Sequence, residues 1–179
     1  MSFKKYSFNK YLDIYRKLFI KEKYKLVSIL PNAKIEHVGS TSIIGLGGKG
    51  IIDIAISVPK NKIEKAIKTL QDSNYVFFPS PDRKERHFFV KTIKYNRNER
   101  RIHIQLTHNN STTWKSHIAI REYLRKNKES ARKYEKIKKK AISYAKGDGK
   151  KYRAYKNKFL QRIEKLALKE YSYKSNRKY

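Results

Sequence analysis

At 179 residues the chain is long enough for one domain with a substantial core. It carries 45 Lys+Arg against 15 Asp+Glu, a formal net charge of +30, and no cysteine. Disulfides, thiolate metal sites and cysteine nucleophiles are thereby excluded. A field of this sign attracts polyanions such as nucleotides, non-specific nucleic acid or an anionic surface. The excess runs the whole length, with 21 Lys+Arg against 9 Asp+Glu in residues 1–100 and 24 against 6 in residues 101–179. Biased base composition in the coding sequence would spread lysine in the same way, although it accounts less well for the scarcity of acids. No apolar run reaches the ~20 residues of a membrane span, and no signal-peptide core opens the chain, so the cytoplasm is the expected compartment.

Residues 8–30 place Leu12, Tyr15, Leu18, Phe19 and Leu26 at helical spacing, and Pro31 stops them. Lys34 to Val38 reads as a strand, and Gly39-Ser40-Thr41-Ser42 as a tight turn with three consecutive hydroxyls. Ile51 to Val58 is rich in β-branched residues and ends at Pro59, which predicts a buried strand. Asn61 is expected to cap a helix carrying Ile63, Ile67 and Leu70 on one face. Tyr75 to Phe78 is a short strand, broken by Pro79-Ser80-Pro81-Asp82. Arg86 to Lys94 and Arg101 to Leu106 form a predicted hairpin, with Ile102, Ile104 and Leu106 on one face and His103 and Gln105 on the other.

From about residue 111 the pattern is helical. Trp114, Ile118 and Leu124 fit one helix, on which His117 and Arg121 lie one turn apart. Ala131, Tyr134, Ile137, Ala141 and Tyr144 mark a second, ended at Gly147, and Asp148 caps a third through Tyr152, Tyr155, Phe159, Ile163 and Leu166. The expected fold class is therefore α/β (α+β): a small mixed sheet flanked by helices, followed by a helical C-terminal part. One domain is expected over residues 1–171, with a basic flexible tail at 172–179.

The chemistry concentrates between Glu36 and Ile56. Gly39 permits a sharp turn and close approach to a ligand, and a helical turn after it would offer free N–H groups to phosphate. Asp53 is a lone carboxylate in an apolar strand, where an unpaired charge is costly. Two readings stand for it, a metal ligand or an ion-pair partner of Lys49 or an arginine. His37 and His103 are either acid/base groups or hydrogen-bonded strand histidines. Lys49 is a phosphate contact or a surface lysine. His117 and Arg121 either clamp an anionic substrate or pack beside Trp114 and pair with an acid such as Asp53. Gly45-x-Gly47-x-x-Gly50 matches the dinucleotide fingerprint in letters, but a strand follows it where a helix should open. Gly48-Lys49 fails as a P-loop, because Gly50 stands where the metal-binding hydroxyl belongs.

This stretch resembles the signature of GrpB-like proteins, a branch of the nucleotidyltransferase (polymerase-beta-like) superfamily, through His37, Gly39, Ser40, Thr41, Ser42, Gly45, Leu46, Lys49, Asp53 and Ile54. Trp114, His117, Ile118, Arg121, Tyr123, Leu124 and Arg125 resemble the family's second block, with Glu122 in place of its aspartate. The resemblance implies a nucleotide or phosphorylated ligand held by Gly39, Ser40, Thr41, Ser42, Lys49, His117 and Arg121. It also implies Mg2+ on Asp53, and nucleotidyl transfer involving Asp53 and His103. Ile44 and Gly50 replace two prolines of the pattern, which predicts a looser connector. Ala55 stands where active nucleotidyltransferases carry a second acid, and His103 and Gln105 where a third is expected. The alternative is a non-catalytic basic module that binds nucleic acid or another ligand.

Overall fold

The computed structural model describes residues 7–79, 85–96 and 98–175. Among them, five strands build one mixed sheet in the order β1-β2-β5-β4-β3: β1 (Lys34–Val38), β2 (Ile52–Val58), β3 (Val76–Phe78), β4 (His87–Tyr95) and β5 (Asn98–His108). β2 and β5 pair parallel from Ile52↔Ile102 to Val58↔His108, and the other neighbours are antiparallel. Side chains alternate across the sheet, so the two faces part by chemistry. Ile52, Ile54, Ile56, Ile102, Ile104 and Leu106 are fully buried on one face, each worth roughly 2 kcal/mol of burial. Helices α1 (Ile14–Ile29) and α2 (Ile63–Asp72) cover it with Tyr15, Leu18, Leu26, Ala66 and Leu70. The opposite face presents Asp53, Ala55, Ser57, His103, Gln105 and Thr107, and α3 (Thr112–Lys126) packs against β2 and β5.

α4 (Lys128–Ala145) and α5 (Gly149–Ser175) complete the helical part. Ser111 caps α3 by accepting from the Trp114 N–H at 3.1 Å, and Asp148 caps α5 by accepting from the Lys150 and Lys151 N–H groups. Ile43 and Leu46, from the connector between β1 and β2, pack against Leu124, Tyr134 and Ile163. The connector is thus the seam between sheet and helices.

Several local expectations are corrected. Residues 8–13 are not helical: Asn9 exchanges backbone hydrogen bonds with Gly48 at 2.7 and 2.9 Å, so this segment is tied to the connector instead. Asn61 does not cap α2; a 3-10 turn, Lys60–Lys62, precedes the helix, closed by the Lys62 N–H on the Pro59 carbonyl. The buried face of α4 is Tyr134, Lys138, Ala141 and Ala145, one residue round from the predicted stripe, which leaves Tyr144 exposed. The first hairpin arm is shifted by one residue, to His87–Tyr95, and the second is longer than expected, running from Asn98 to His108. Ser80, Pro81 and Asp82 of the predicted break lie outside the described residues, as do residues 176–179 of the predicted tail; α5 continues to Ser175.

Candidate functional site

The turn after β1 is a single 3-10 turn, Ser40–Ser42, in which the Ser42 and Ile43 N–H groups return to the Gly39 and Ser40 carbonyls. It is too short to act as a helix N-terminus, so the phosphate-attracting helical turn expected from the sequence does not form. The three hydroxyls have separate fates. Ser42 Oγ donates to the Gly39 carbonyl at 2.7 Å, and Thr41 Oγ1 to the Ile51 carbonyl at 2.9 Å. Ser40 Oγ makes no hydrogen bond among the described residues.

Thr41 also settles the state of His37. A carbonyl only accepts, so the Thr41 proton goes to Ile51 and its oxygen must accept from His37 Nε2 at 3.0 Å. The ring stacks on Phe19 with centroids 4.6 Å apart, and burial pulls its pKa down to about 4. A histidine neutral through this range orders the turn and is not an acid/base group near neutrality.

Asp53 lies at the centre of the polar face, paired in register with Val38 on one side and His103 on the other. Its Oδ1 is 3.5 Å from His103 Nδ1, and both side chains are partly exposed. The edge of Phe88 meets the His103 ring at 5.0 Å between centroids. Gly39 adopts φ +68°, and a Cβ there would stand 2.4 Å from Asp53 Oδ2. Glycine is therefore demanded twice, by the backbone and by the carboxylate lying against it.

Two amines, Lys49 half-buried and Lys138 buried, feel the charge of this carboxylate. Lys49 Nζ sits 4.6 Å over the Tyr152 ring; burial lowers its pKa to about 8, opposed by Asp53 and reinforced by Lys156, Arg101 and Arg153. Lys138, from α4, is only 2% exposed and donates to the Gly47 carbonyl. Burial lowers its pKa to about 7, with Glu135 and Asp53 opposing and Lys156 and Lys139 adding to the fall. The position that a Gly48 Cβ would fill lies 2.8 Å from Ser40 Oγ and 3.3 Å from Lys138 Nζ. Gly48 thus lets the backbone pack closely against the Ser40 hydroxyl and the Lys138 amine, where any side chain would collide.

The connector is tied down, contrary to the looseness expected from its missing prolines. The Gly47 N–H donates to Glu135 Oε2 at 3.0 Å while the same residue's carbonyl accepts from Lys138, so one turn of α4 holds both sides of Gly47. Gly50 takes φ +69°, which a proline cannot adopt.

Of the residues singled out from the sequence, the structure brings together Gly39, Ser40, Asp53, His103 and Lys49. Ser42 is turned into the turn's own hydrogen bond, and Thr41 ties the turn to Ile51 and His37. Arg121 does not reach Asp53: it donates to Glu36 at 2.6 Å, to the His37 carbonyl at 2.9 Å and to Glu122 at 2.8 Å, bracing β1 against α3. His117 is half-buried on α3, with a partner of its own. Lys138 and Glu135 were missed, although the spacing of Tyr134, Lys138, Ala141 and Ala145 does place that lysine in an apolar stripe.

The donor set does not fit a magnesium ion held by the protein. Among the described residues Asp53 is paired with a histidine rather than a second carboxylate, and Ala55 follows where a second acid would stand. Among the described residues no three His, Cys, Asp or Glu side chains gather as a metal would require.

A family described as GrpB protein matches residues 7–166. The chain belongs to the GrpB family. A UPF0157 protein of Vibrio cholerae is 26% identical over 162 residues, covering 88% of this chain and 80% of its own. The crystal structure of conserved protein GrpB from Enterococcus faecalis is similar with a TM-score of 0.79 and 28% identity, over 92% of this chain and 99% of that one. The Cid1 poly(U) polymerase with Mg 3'-dATP bound is similar at TM-score 0.53 and 13% identity, over 76% of this chain and 45% of that one. That likeness is one of fold, and it sets the GrpB chain within the nucleotidyltransferase architecture. Among the described residues no helix is long and apolar enough to cross a membrane.

Proposed function

We propose that the space between the Gly39-Ser40 turn, Asp53 and α4 binds a nucleotide or similar phosphorylated ligand, with amines of the protein supplying the counter-charge that a metal supplies elsewhere. The observation that carries this reading is that the Lys138 amine and the Ser40 hydroxyl both lie against Gly48, with Asp53 attracting both Lys138 and Lys49. Each amine is held below its ordinary pKa partly by neighbouring cations. A bound phosphate would relieve that repulsion, and desolvation strengthens the attraction. Asp53 and His103 then face the ligand's non-phosphate part as hydrogen-bonding groups.

The likeness in fold to a polymerase favours a second reading, nucleotidyl transfer to an acceptor hydroxyl. The acceptor oxygen would bond to the α-phosphorus as the bridge to the β-phosphate breaks and pyrophosphate leaves, the acceptor's proton passing to His103 beside Asp53. Calorimetry of a nucleotide panel, with and without magnesium and in enough salt to suppress long-range attraction, tests the first reading. Saturable binding without magnesium that weakens at least about tenfold in Lys138→Met supports it. Equal binding of every polyanion, nucleic acid included, that fades with salt and ignores Lys138 overturns it. Turnover that is lost in Asp53→Ala with binding retained selects the second.

A further inference from the structure

On the far side of the Gly39–Leu46 segment lies a groove of about 1150 Å³, lined by neither Asp53, Lys49 nor His103. One wall is α1, through Arg16, Phe19, Ile20, Lys23, Tyr24 and Val27. These positions step by i, i+3, i+4, i+7, i+8 and i+11, which is one stripe about three turns and ~16 Å long. It is distinct from the stripe of Tyr15, Leu18, Glu22 and Leu26 that α1 buries against the sheet. α1 therefore carries a second stripe, in which Phe19 stacks on His37 while Ile20, Tyr24 and Val27 are left exposed by the described residues. Tyr24 is 75% exposed, Ile44 on the groove floor 80%, and Ile20 and Val27 about 40% each. A floor of this kind exceeds the single exposed side chains of an ordinary surface.

The rim has one sign. Lys23, Arg125, Lys128 and Arg132 line it with Arg16. Its two carboxylates are already engaged, Glu36 by Arg121 at 2.6 Å, and Glu135 by the Gly47 N–H and Lys139. Arg16, Lys128 and Arg132 make no ion pair among the described residues. We propose that this groove docks an acidic amphipathic helix of a partner protein, its apolar face laid between α1 and α4 and its carboxylates meeting the basic rim. The length and spacing of the α1 stripe match the anchor pattern of helix-in-groove recognition. A second copy of this chain is a poor occupant, because two molecules of net charge +30 repel each other. A flat bilayer cannot follow a concave floor set between two helices.

The test is fluorescence anisotropy with two labelled peptides of about 14 residues and identical composition. One places leucines at i, i+3, i+4 and i+7 with glutamates on both flanks, and the other distributes the leucines around the helix. The first should bind saturably, at least about tenfold more tightly than the second. Ile20→Glu and Val27→Glu, both at exposed positions, should each abolish that difference while leaving the circular dichroism spectrum unchanged. Lys169→Glu, which does not line the groove, should preserve it. Equal affinity for the two peptides reduces the groove to non-specific charge attraction and overturns the proposal. Insensitivity to both α1 substitutions does the same. So does preferential binding of anionic lipid vesicles that both substitutions weaken.

Discussion

Replacing Lys138 with methionine should make the protein more stable at neutral pH and less able to hold a phosphorylated ligand. The amine is 2% exposed and its pKa stands near 7, against 10.5 in an unfolded chain. At pH 7 that difference costs the fold about 4 kcal/mol, because the unfolded state binds the proton far more readily. Methionine has nearly the same shape and no charge to desolvate. It forfeits the hydrogen bond to Gly47 and leaves that carbonyl without this donor, which returns about 2 kcal/mol. The net gain is about 2 kcal/mol, or about 1 M in the urea midpoint for a slope near 2 kcal/mol per molar. The sign depends on pH. Wild-type stability should rise as the pH climbs from 7 toward 10.5, since the folded amine is neutral there while the unfolded one still binds a proton. The advantage of methionine should therefore vanish near pH ~9 and be reversed by pH ~10. Urea titrations of both proteins at pH 7 and pH 10 measure this directly. A variant no more stable than wild type at pH 7, or a gain unchanged at pH 10, would refute the account of Lys138 as a desolvated cation.

Acid should unfold the protein partly through His37, whose folded pKa near 4 lies below the ordinary 6.5. Its contribution is fully present above pH 6.5 and is lost as the pH falls through 4, a change of about 3 kcal/mol. His37→Gln should flatten that part of the stability–pH curve, and an unchanged slope would assign acid sensitivity elsewhere. Gly39→Ala should cost about 3 kcal/mol, from a left-handed φ and a Cβ 2.4 Å from Asp53 Oδ2. Adding Asp53→Ala should recover only the carboxylate's share of the steric loss, since the Asp53 Cβ still lies 2.9 Å from the new methyl, so strictly additive losses in the double variant would contradict the close contact.

The strands were legible because β-branching, short length and a flanking proline together favour a strand in runs such as Ile51 to Val58, which ends at Pro59. The start of α1 was not: Leu12 sits at helical spacing, yet Asn9 pairs with Gly48, a partner that local pattern cannot reveal. Gly39, Ser40 and Asp53 stood out because a tight hydroxyl-rich turn before a lone acid is chemically unusual. Lys138 did not, since one lysine among so many reads as surface until its neighbours in the stripe prove to be buried. Arg121 was assigned toward a ligand because its real acceptor, Glu36, lies 85 residues earlier on another strand.

The grip of α4 on Gly47 joins residues 91 apart in the chain. Contacts of that span close late in folding, after the entropy of the intervening loop has been overcome. The turn, the acid and the hydroxyl can be in place once the sheet has formed, while the cation arrives only when the C-terminal helices dock. On the proposed reading, competence for an anion becomes a property of the finished chain, and a phosphate-binding signal followed during refolding would time the docking of sheet and helices.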